Sequence, residues 1–265
     1  MKNIRYVLMA AMAAFCMTSC EWFLLDNTEQ HNATVSGKII DAATGETVQT
    51  EINNGGSIRF VELGWKDKDG IPVESFQSWT VKNNGTYRNN LVWAGDYRME
   101  TIEQNYYPLT QEFKLEKGDN VVDFTVTPYL RFLSHSFKYD AASKKIIATC
   151  EVQVADPTKT TTLNEVRLCC YTDCFVGYAY NNCKDDATAV AKNVTMDANG
   201  KATVTLEIDT QASVNATEFK YERTHNVRLA GLATGSGVNT SSRYNFTPTY
   251  SLRLDGSEPV LYDKW

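Results

Sequence analysis

Apart from its carboxylates, the side chains of this 265-residue chain that could do chemistry are three histidines, five cysteines from Cys150 onward and a scatter of aromatics. The histidines are His31, His135 and His225, and none sits in an H-E-x-x-H or G-x-S-x-G setting. Hydrolysis needs a nucleophile beside a base, a pair of carboxylates, or a metal cluster. No cysteine has a histidine partner at a familiar spacing, so His135 and His225 read as surface or strand residues. Paired glycosidase carboxylates obey no spacing rule, and a hydrolase therefore stays as a third reading. Cys150, Cys169, Cys170, Cys174 and Cys183 form C-C-x₃-C-x₈-C after Cys150, which lacks the doubled C-x-x-C of a zinc site. Cys150 and Cys170 read as small buried side chains, and Cys174 with Cys183 as either a loop disulfide or free thiols. Asp67-Lys68-Asp69-Gly70 opens like a calcium loop, but the twelfth position is Ser78 rather than Glu, and a plain turn accounts for it. No metal or cofactor is expected.

The aromatics are better suited to binding. Sugar rings present flat C–H faces that stack on Trp and Tyr while Asn, Asp and Arg bond the hydroxyls. The candidates are Trp65 in the loop G-W-K-D-K-D-G, Trp79, Trp93, and Tyr178 and Tyr180 beside Asn181 and Asn182. Trp79 alternates with Gln77 and Val81, and Trp93 precedes Ala94-Gly95, so a core or half-buried role competes with a ligand role for both. Trp65 and the 178–182 loop read as exposed, as does Tyr106-Tyr107-Pro108.

Strands must position these groups. Short β-branched and aromatic runs alternate with Gly, Asn and Asp turns, which predicts an all-β chain of two β-sandwich domains in tandem. The first, over 33–128, has strands near 34–40, 57–63, 76–81, 86–89, 95–103, 111–115 and 120–127. In the last of these, Val122, Phe124 and Val126 share a face. The second, over 129–265, has strands near 131–138, 144–155, 165–172, 175–180, 190–196, 201–209, 225–233 and 247–254. Its clearest strand is K-A-T-V-T-L-E-I-D, with Ala202, Val204, Leu206 and Ile208 turned inward. The turn 197–200 fits a hairpin between that strand and 193–196. Seven or eight strands in this length suit an immunoglobulin-like sandwich. The short junction predicts domains that pack against each other.

The start of the chain carries an address. Lys2 and Arg5 precede an apolar run over 6–15 that is too short to span a bilayer, and Met17-Thr18-Ser19-Cys20 follows. That pattern predicts a signal peptide over 1–19, cleavage before Cys20, and lipid on its sulfur. Residues 20–32 then form a tether, with Trp22, Phe23, Leu24 and Leu25 at the lipid surface or on the first domain. Without Lys2 and Arg5, 24 basic residues face 32 acidic ones. An acidic body without a Lys/Arg cluster argues against nucleic acid as a partner.

The segments V-S-G-K-I-I-D-A-A-T-G-E-T-V-Q-T (35–50), N-G-T-Y-R-N-N-L-V-W-A-G-D-Y-R-M-E (84–100) and N-V-V-D-F-T-V-T-P-Y (120–129) resemble a carboxypeptidase-regulatory-like, prealbumin-type sandwich. The whole arrangement, from lipobox to Y-N-F-T-P-T-Y-S-L-R-L, resembles a Bacteroidota lipoprotein family of uncharacterised function found beside Sus-type nutrient transporters. The resemblance implies an outer-membrane lipoprotein, anchored through Cys20 and facing the cell exterior. It implies a Sus-type transporter and its lipoprotein as partners and a non-catalytic role in capturing glycan or peptide. The regulatory-like domain brings no peptidase chemistry with it. A structural docking subunit without a nutrient ligand is the alternative.

Overall fold

The computed structural model describes residues 30–52, 57–101, 103–235, 238 and 243–265. The expected signal peptide, the lipid site at Cys20 and the tether up to residue 29 lie outside the described residues. Residues 32–265 form one compact unit, and its regular structure is almost entirely strand. No described helix is long and apolar enough to cross a membrane.

The chain opens with β1 (Ala33–Asp41), β2 (Ser57–Glu62), β3 (Phe76–Thr80), β4 (Thr86–Val92), β5 (Gly95–Glu100), β6 (Thr110–Leu115), β7 (Gly118–Val121) and β8 (Phe124–Val126). β4, β1 and β7 form one sheet, with β8 also pairing on β1, and β3, β2, β5 and β6 form a second sheet. Val35, Ile39, Phe60, Trp79, Tyr87, Tyr97 and Phe124 fill the core of this half. Each such buried side chain contributes roughly 1.5–3 kcal/mol.

The expected single strand over 120–127 is broken at Val122. β7 and β8 each run parallel to β1, but between them Val122 turns its carbonyl across Gly37. A Cβ at Gly37 would lie 1.7 Å from that oxygen, and the Tyr87 hydroxyl donates to the same oxygen at 2.5 Å. Phe124 and Val126 still point inward, as the alternation requires.

The second half contains β9 (Leu130–Asp140), β10 (Lys145–Val154), β11 (Thr161–Tyr171), β12 (Val190–Lys192), β13 (Lys201–Asp209), β14 (His225–Gly235), β15 (Tyr244–Phe246), β16 (Tyr250–Leu252) and β17 (Val260–Leu261). One sheet runs β13-β10-β9, and the other β12-β11-β14-β16-β17 with β15 also on β14. On β13, Ala202, Val204, Leu206 and Ile208 are buried, as their spacing demands.

Two expectations need correction here. The 197–200 turn closes through Asp197 N–H to Lys201 O at 2.8 Å, but β13 pairs with β10 instead of 193–196. β12 is drawn away to β11, so the expected hairpin does not form. Residues 175–180 form a loop rather than a strand, its amides tied to turns and to Glu51 Oε2. His225 is a strand residue, the first of β14, and is fully buried, its Nδ1 2.6 Å from Glu218 Oε1.

β11 and β14 bury both faces. One face, with Leu168, Cys170, Val227 and Leu229, closes the main core; the other carries Cys169, Arg228 and Ala230. This second face meets the first half of the chain. Arg228, fully buried, donates to Thr247 O at 3.1 Å, Thr50 O at 2.9 Å and Val176 O at 3.3 Å, and stacks its guanidinium 4.1 Å over Phe246. Burial works against its charge, and the nearby Glu51 carboxylate offsets part of that penalty. Asn105 donates to Gln49 O and Tyr244 O, Asn245 donates back to Asn105 O, and Arg131 forks onto Asp41. The two halves are thereby packed into one body.

Candidate functional site

β2 and β3 are consecutive antiparallel strands, so the segment joining them must double back at their ends. That segment is a tight hairpin. Val73 N–H donates to Trp65 O at 2.9 Å, Lys66 bridges to Pro72, and Asp67 N–H donates to Ile71 O at 2.9 Å. Asp67 Oδ1 accepts from the amides of Asp69 and Ile71 at 2.9 and 2.8 Å, and Gly70 takes φ +79° where a side chain would strain. The Asp67–Gly70 run is thus a turn whose first carboxylate serves the backbone, and it holds Trp65 out from the sheet, 54% exposed.

Trp93 reaches the same place from the other side. It follows β4 directly, where its carbonyl accepts from the Tyr97 hydroxyl at 3.0 Å and the next amide, Ala94 N–H, donates to Asn32 Oδ1 at 2.8 Å. Trp65 and Trp93, with Glu62, Val73, Ser75 and Gln77, line one recess of about 200 Å³. Glu62 is fixed at the end of β2 opposite Tyr97. Burial first, and then the Glu62 charge, push the Tyr97 hydroxyl up to about 12, so Tyr97 stays a neutral donor beside that carboxylate. Gln77 Oε1 accepts from Trp79 Nε1 at 3.3 Å, which fixes the orientation of its amide in the recess lining. Two indoles with a carboxylate, an amide and a hydroxyl around them form a surface for a polar ring with apolar faces. The volume lies below the roughly 300–1,000 Å³ of drug-sized pockets and is suited to a small unit of a larger ligand.

The other expected ligand residues are placed elsewhere. Trp79 is a correction: it is 4% exposed, stacked 3.8 Å from Phe60 in the core, and has no face left for a ligand. Tyr178 and Tyr180 are part-exposed on the 173–186 loop of the second half and do not line the recess. Tyr178 lies 4.7 Å from Tyr244 in a stacked pair, with the Arg167 guanidinium 5.6 Å from its ring centre. Tyr180 leans on Tyr171 at 5.7 Å. Tyr106 is buried, against its expected exposure, while Tyr107 bonds Thr161 Oγ1 at 2.9 Å. Sequence reading missed Glu62, Ser75 and Gln77. Pairing the strands on either side of residues 63–75 would have brought them together.

Larger hollows have less to offer. One of about 440 Å³ lies where the two halves meet, lined by Asp41, Glu46, Gln49, Arg131, Phe132 and His135 among others. Its strongest polar groups are already committed, Arg131 to Asp41 and His135 Nε2 to the Tyr250 hydroxyl at 3.1 Å. Another, of about 790 Å³ around Pro157, Val194, Met196 and Asp197, contains no aromatic side chain.

Comparison with known proteins bears on this geometry. Residues 33–127 match the family model described as the N-terminal domain of a protein of unknown function, DUF3823. No curated protein matches the chain. A crystal structure from Bacteroides uniformis, described as a candidate carbohydrate binding protein, is 30% identical with a TM-score of 0.72, over 84% of this chain and 100% of that one. DUF3823 family proteins from Bacteroides ovatus and Parabacteroides merdae share the fold at 19% and 17% identity, with TM-scores of 0.63 and 0.62. They cover 84% and 85% of this chain and all of theirs. With a relative of that identity covered from end to end and the family model matched over residues 33–127, this chain belongs to the DUF3823 family.

Proposed function

We propose that this protein is a non-catalytic carbohydrate-binding lipoprotein, and that the recess between Trp65 and Trp93 is its sugar site. One observation carries the reading: two tryptophans from separate segments share a recess with Glu62, Ser75 and Gln77. The relative described for carbohydrate binding supports the same ligand class. Each ring–ring stack contributes about 1 kcal/mol, so single sites are weak and a multiply displayed protein gains through avidity.

The lipid on Cys20, outward display at the outer membrane and cooperation with a Sus-type transporter belong to the same proposal, supported by the signal pattern and the family resemblance. In this arrangement two sandwiches hold the glycan near the transporter without altering it. The test is affinity electrophoresis of the full mature chain across a broad panel of polysaccharides. Retardation by at least one glycan, lost in Trp65→Ala and in Trp93→Ala but kept in Tyr178→Ala, is the expected result. Unchanged mobility of the wild type on every gel overturns the reading.

A second reading has its own observation. Ile71, Val73 and Phe76 are exposed beside Trp65, an apolar margin that a partner protein would cover. A docking subunit would lose co-purification with its transporter in Phe76→Glu while showing no retardation on any glycan.

A further inference from the structure

Four chain segments deliver Cys170, Cys183, Glu218 and His225 to one closed region of the second core, and each is 0% exposed. Glu218 Oε1 lies 2.6 Å from His225 Nδ1 and 4.0 Å from Cys170 Sγ, while Oε2 accepts from Asn182 Nδ2 at 2.7 Å. The ligand atoms of Cys170, Glu218 and His225 all lie within 4.8 Å of one another, which raises the question of a metal. A tetrahedral ion holds its N and O ligands at about 2.0–2.2 Å each, which sets them more than roughly 3 Å apart. A nitrogen and an oxygen 2.6 Å apart are instead hydrogen-bonded, and the carboxylate is already committed to His225 and Asn182.

The cysteines are arranged differently. Asn181 Oδ1 accepts from the amides of both Cys170 and Cys183, at 3.2 and 3.0 Å, and Asn182 N–H donates to Cys170 O at 3.0 Å. One amide oxygen shared by the two backbones holds their nitrogens within roughly 6 Å of each other, with each Cα one bond from its nitrogen, and so brings the two residues side by side. Both are fully buried free thiols of the same core, and Cys183 is the neighbour that, after burial, most affects the Cys170 thiol. Cys174, the partner expected from sequence, is half-exposed next to Asp173 and Tyr262 and outside that core.

We propose that Cys170 and Cys183 are joined as a disulfide in the exported protein, closing the 171–182 loop onto the end of β11. An oxidised thiol–disulfide donor supplies the chemistry. One cysteine thiolate attacks the donor disulfide and releases the first donor thiolate; the second cysteine, deprotonated, attacks the mixed bond and releases the other. The pair loses two protons and two electrons, and the donor leaves as a dithiol. Burial next to Glu218 holds the Cys170 thiol well above its ordinary range and closes it to solvent, so the bond forms before β14 and the 211–224 segment cover the pair. The proposal rests on export and not on sugar binding.

The experiment takes the full chain from the bacterial envelope, traps free thiols with an alkylating agent under denaturing conditions, and maps the peptides by mass spectrometry. A Cys170–Cys183 linked peptide, with Cys150, Cys169 and Cys174 alkylated, is expected. Reduction should lower Tm by roughly 5–10 °C. The Cys170→Ser variant should release an alkylatable Cys183. Alkylation of both Cys170 and Cys183 in the wild-type envelope protein, a Cys174–Cys183 link, or a stoichiometric bound metal each overturns the proposal. Because the decisive readout is on the wild type, failure of a variant to fold leaves the test intact.

Discussion

Arg131 and Asp41 form a two-pronged pair across the halves of the molecule: guanidinium Nε and Nη2 donate to Oδ2 and Oδ1, the latter at 2.7 Å, while Nη1 donates to Ala155 O at 2.9 Å. Both side chains are mostly withdrawn from water, with 15% and 7% of their surface exposed. Burial pushes the Asp41 carboxyl upward, but the Arg131 hydrogen bonds and charge and the Ala43 amide pull it below the ordinary value of 3.8. A carboxylate depressed on folding stabilises above its unfolded value and loses that contribution as pH falls through the folded one. Thermal stability should therefore decline from about pH 4 downward. Asp41→Asn should flatten that acid limb and cost about 2–4 kcal/mol at pH 7 by leaving Arg131 without its counter-charge. Denaturant titrations of both proteins from pH 2 to 7 check this.

Trp65 and Trp79 should separate binding from folding. Trp65→Ala removes an exposed ring and should change unfolding free energy by less than about 0.5 kcal/mol. Trp79→Ala opens the core beneath Phe60 and should cost about 3–5 kcal/mol. Urea melts measure both. A large loss from Trp65→Ala would show that the indole packs rather than waits for a ligand.

Gly37 admits no side chain. Its missing Cβ is what allows Val122 O to sit where the Tyr87 hydroxyl also bonds it. Gly37→Ala should force β7 and β8 off β1 and cost several kcal/mol, of the order of the largest single-site losses. Hydrogen exchange should then accelerate at Val122, whose amide bonds across this edge to Ser36 O.

Gly177 meets the same kind of limit where the two halves join. A Cβ there would come 2.5 Å from Glu51 Oε2, the oxygen that accepts from Ala179 N–H at 3.1 Å. Gly177→Ala should displace Glu51, whose carboxyl burial already pushes upward, and leave Arg228 with less compensation. A Tm several degrees lower, with Trp65-dependent glycan retardation unchanged, is the expected pairing of results. Loss of both would tie the recess to the junction between the halves.

Period-two alternation made much of the fold legible before any coordinates. Ala202, Val204, Leu206 and Ile208 face the core because a pleated strand leaves them no other side. The same local rule covers Phe124 and Val126. It could not reach β11 and β14, where polar and apolar residues are buried together because a second layer covers the outer face and supplies Arg228 with carbonyls from distant segments. It also could not say which strand takes β13 as a neighbour, since main-chain hydrogen bonds are blind to side chains and β10 competes with 193–196 on equal terms.

For the candidate site, the sequence determined the kind of residue, and the fold decided which of those residues meet. Trp65, Trp79 and Trp93 are chemically identical rings, and exposure is a property of the neighbours rather than of the ring. Packing put Trp79 under Phe60 and brought Trp65 and Trp93 to one recess with Glu62 and Gln77. The cysteines follow the same logic. Spacing left Cys174 and Cys183 either paired or free, and the structure has both as free thiols, while a single side-chain amide from Asn181 accepts from the backbones of both Cys170 and Cys183.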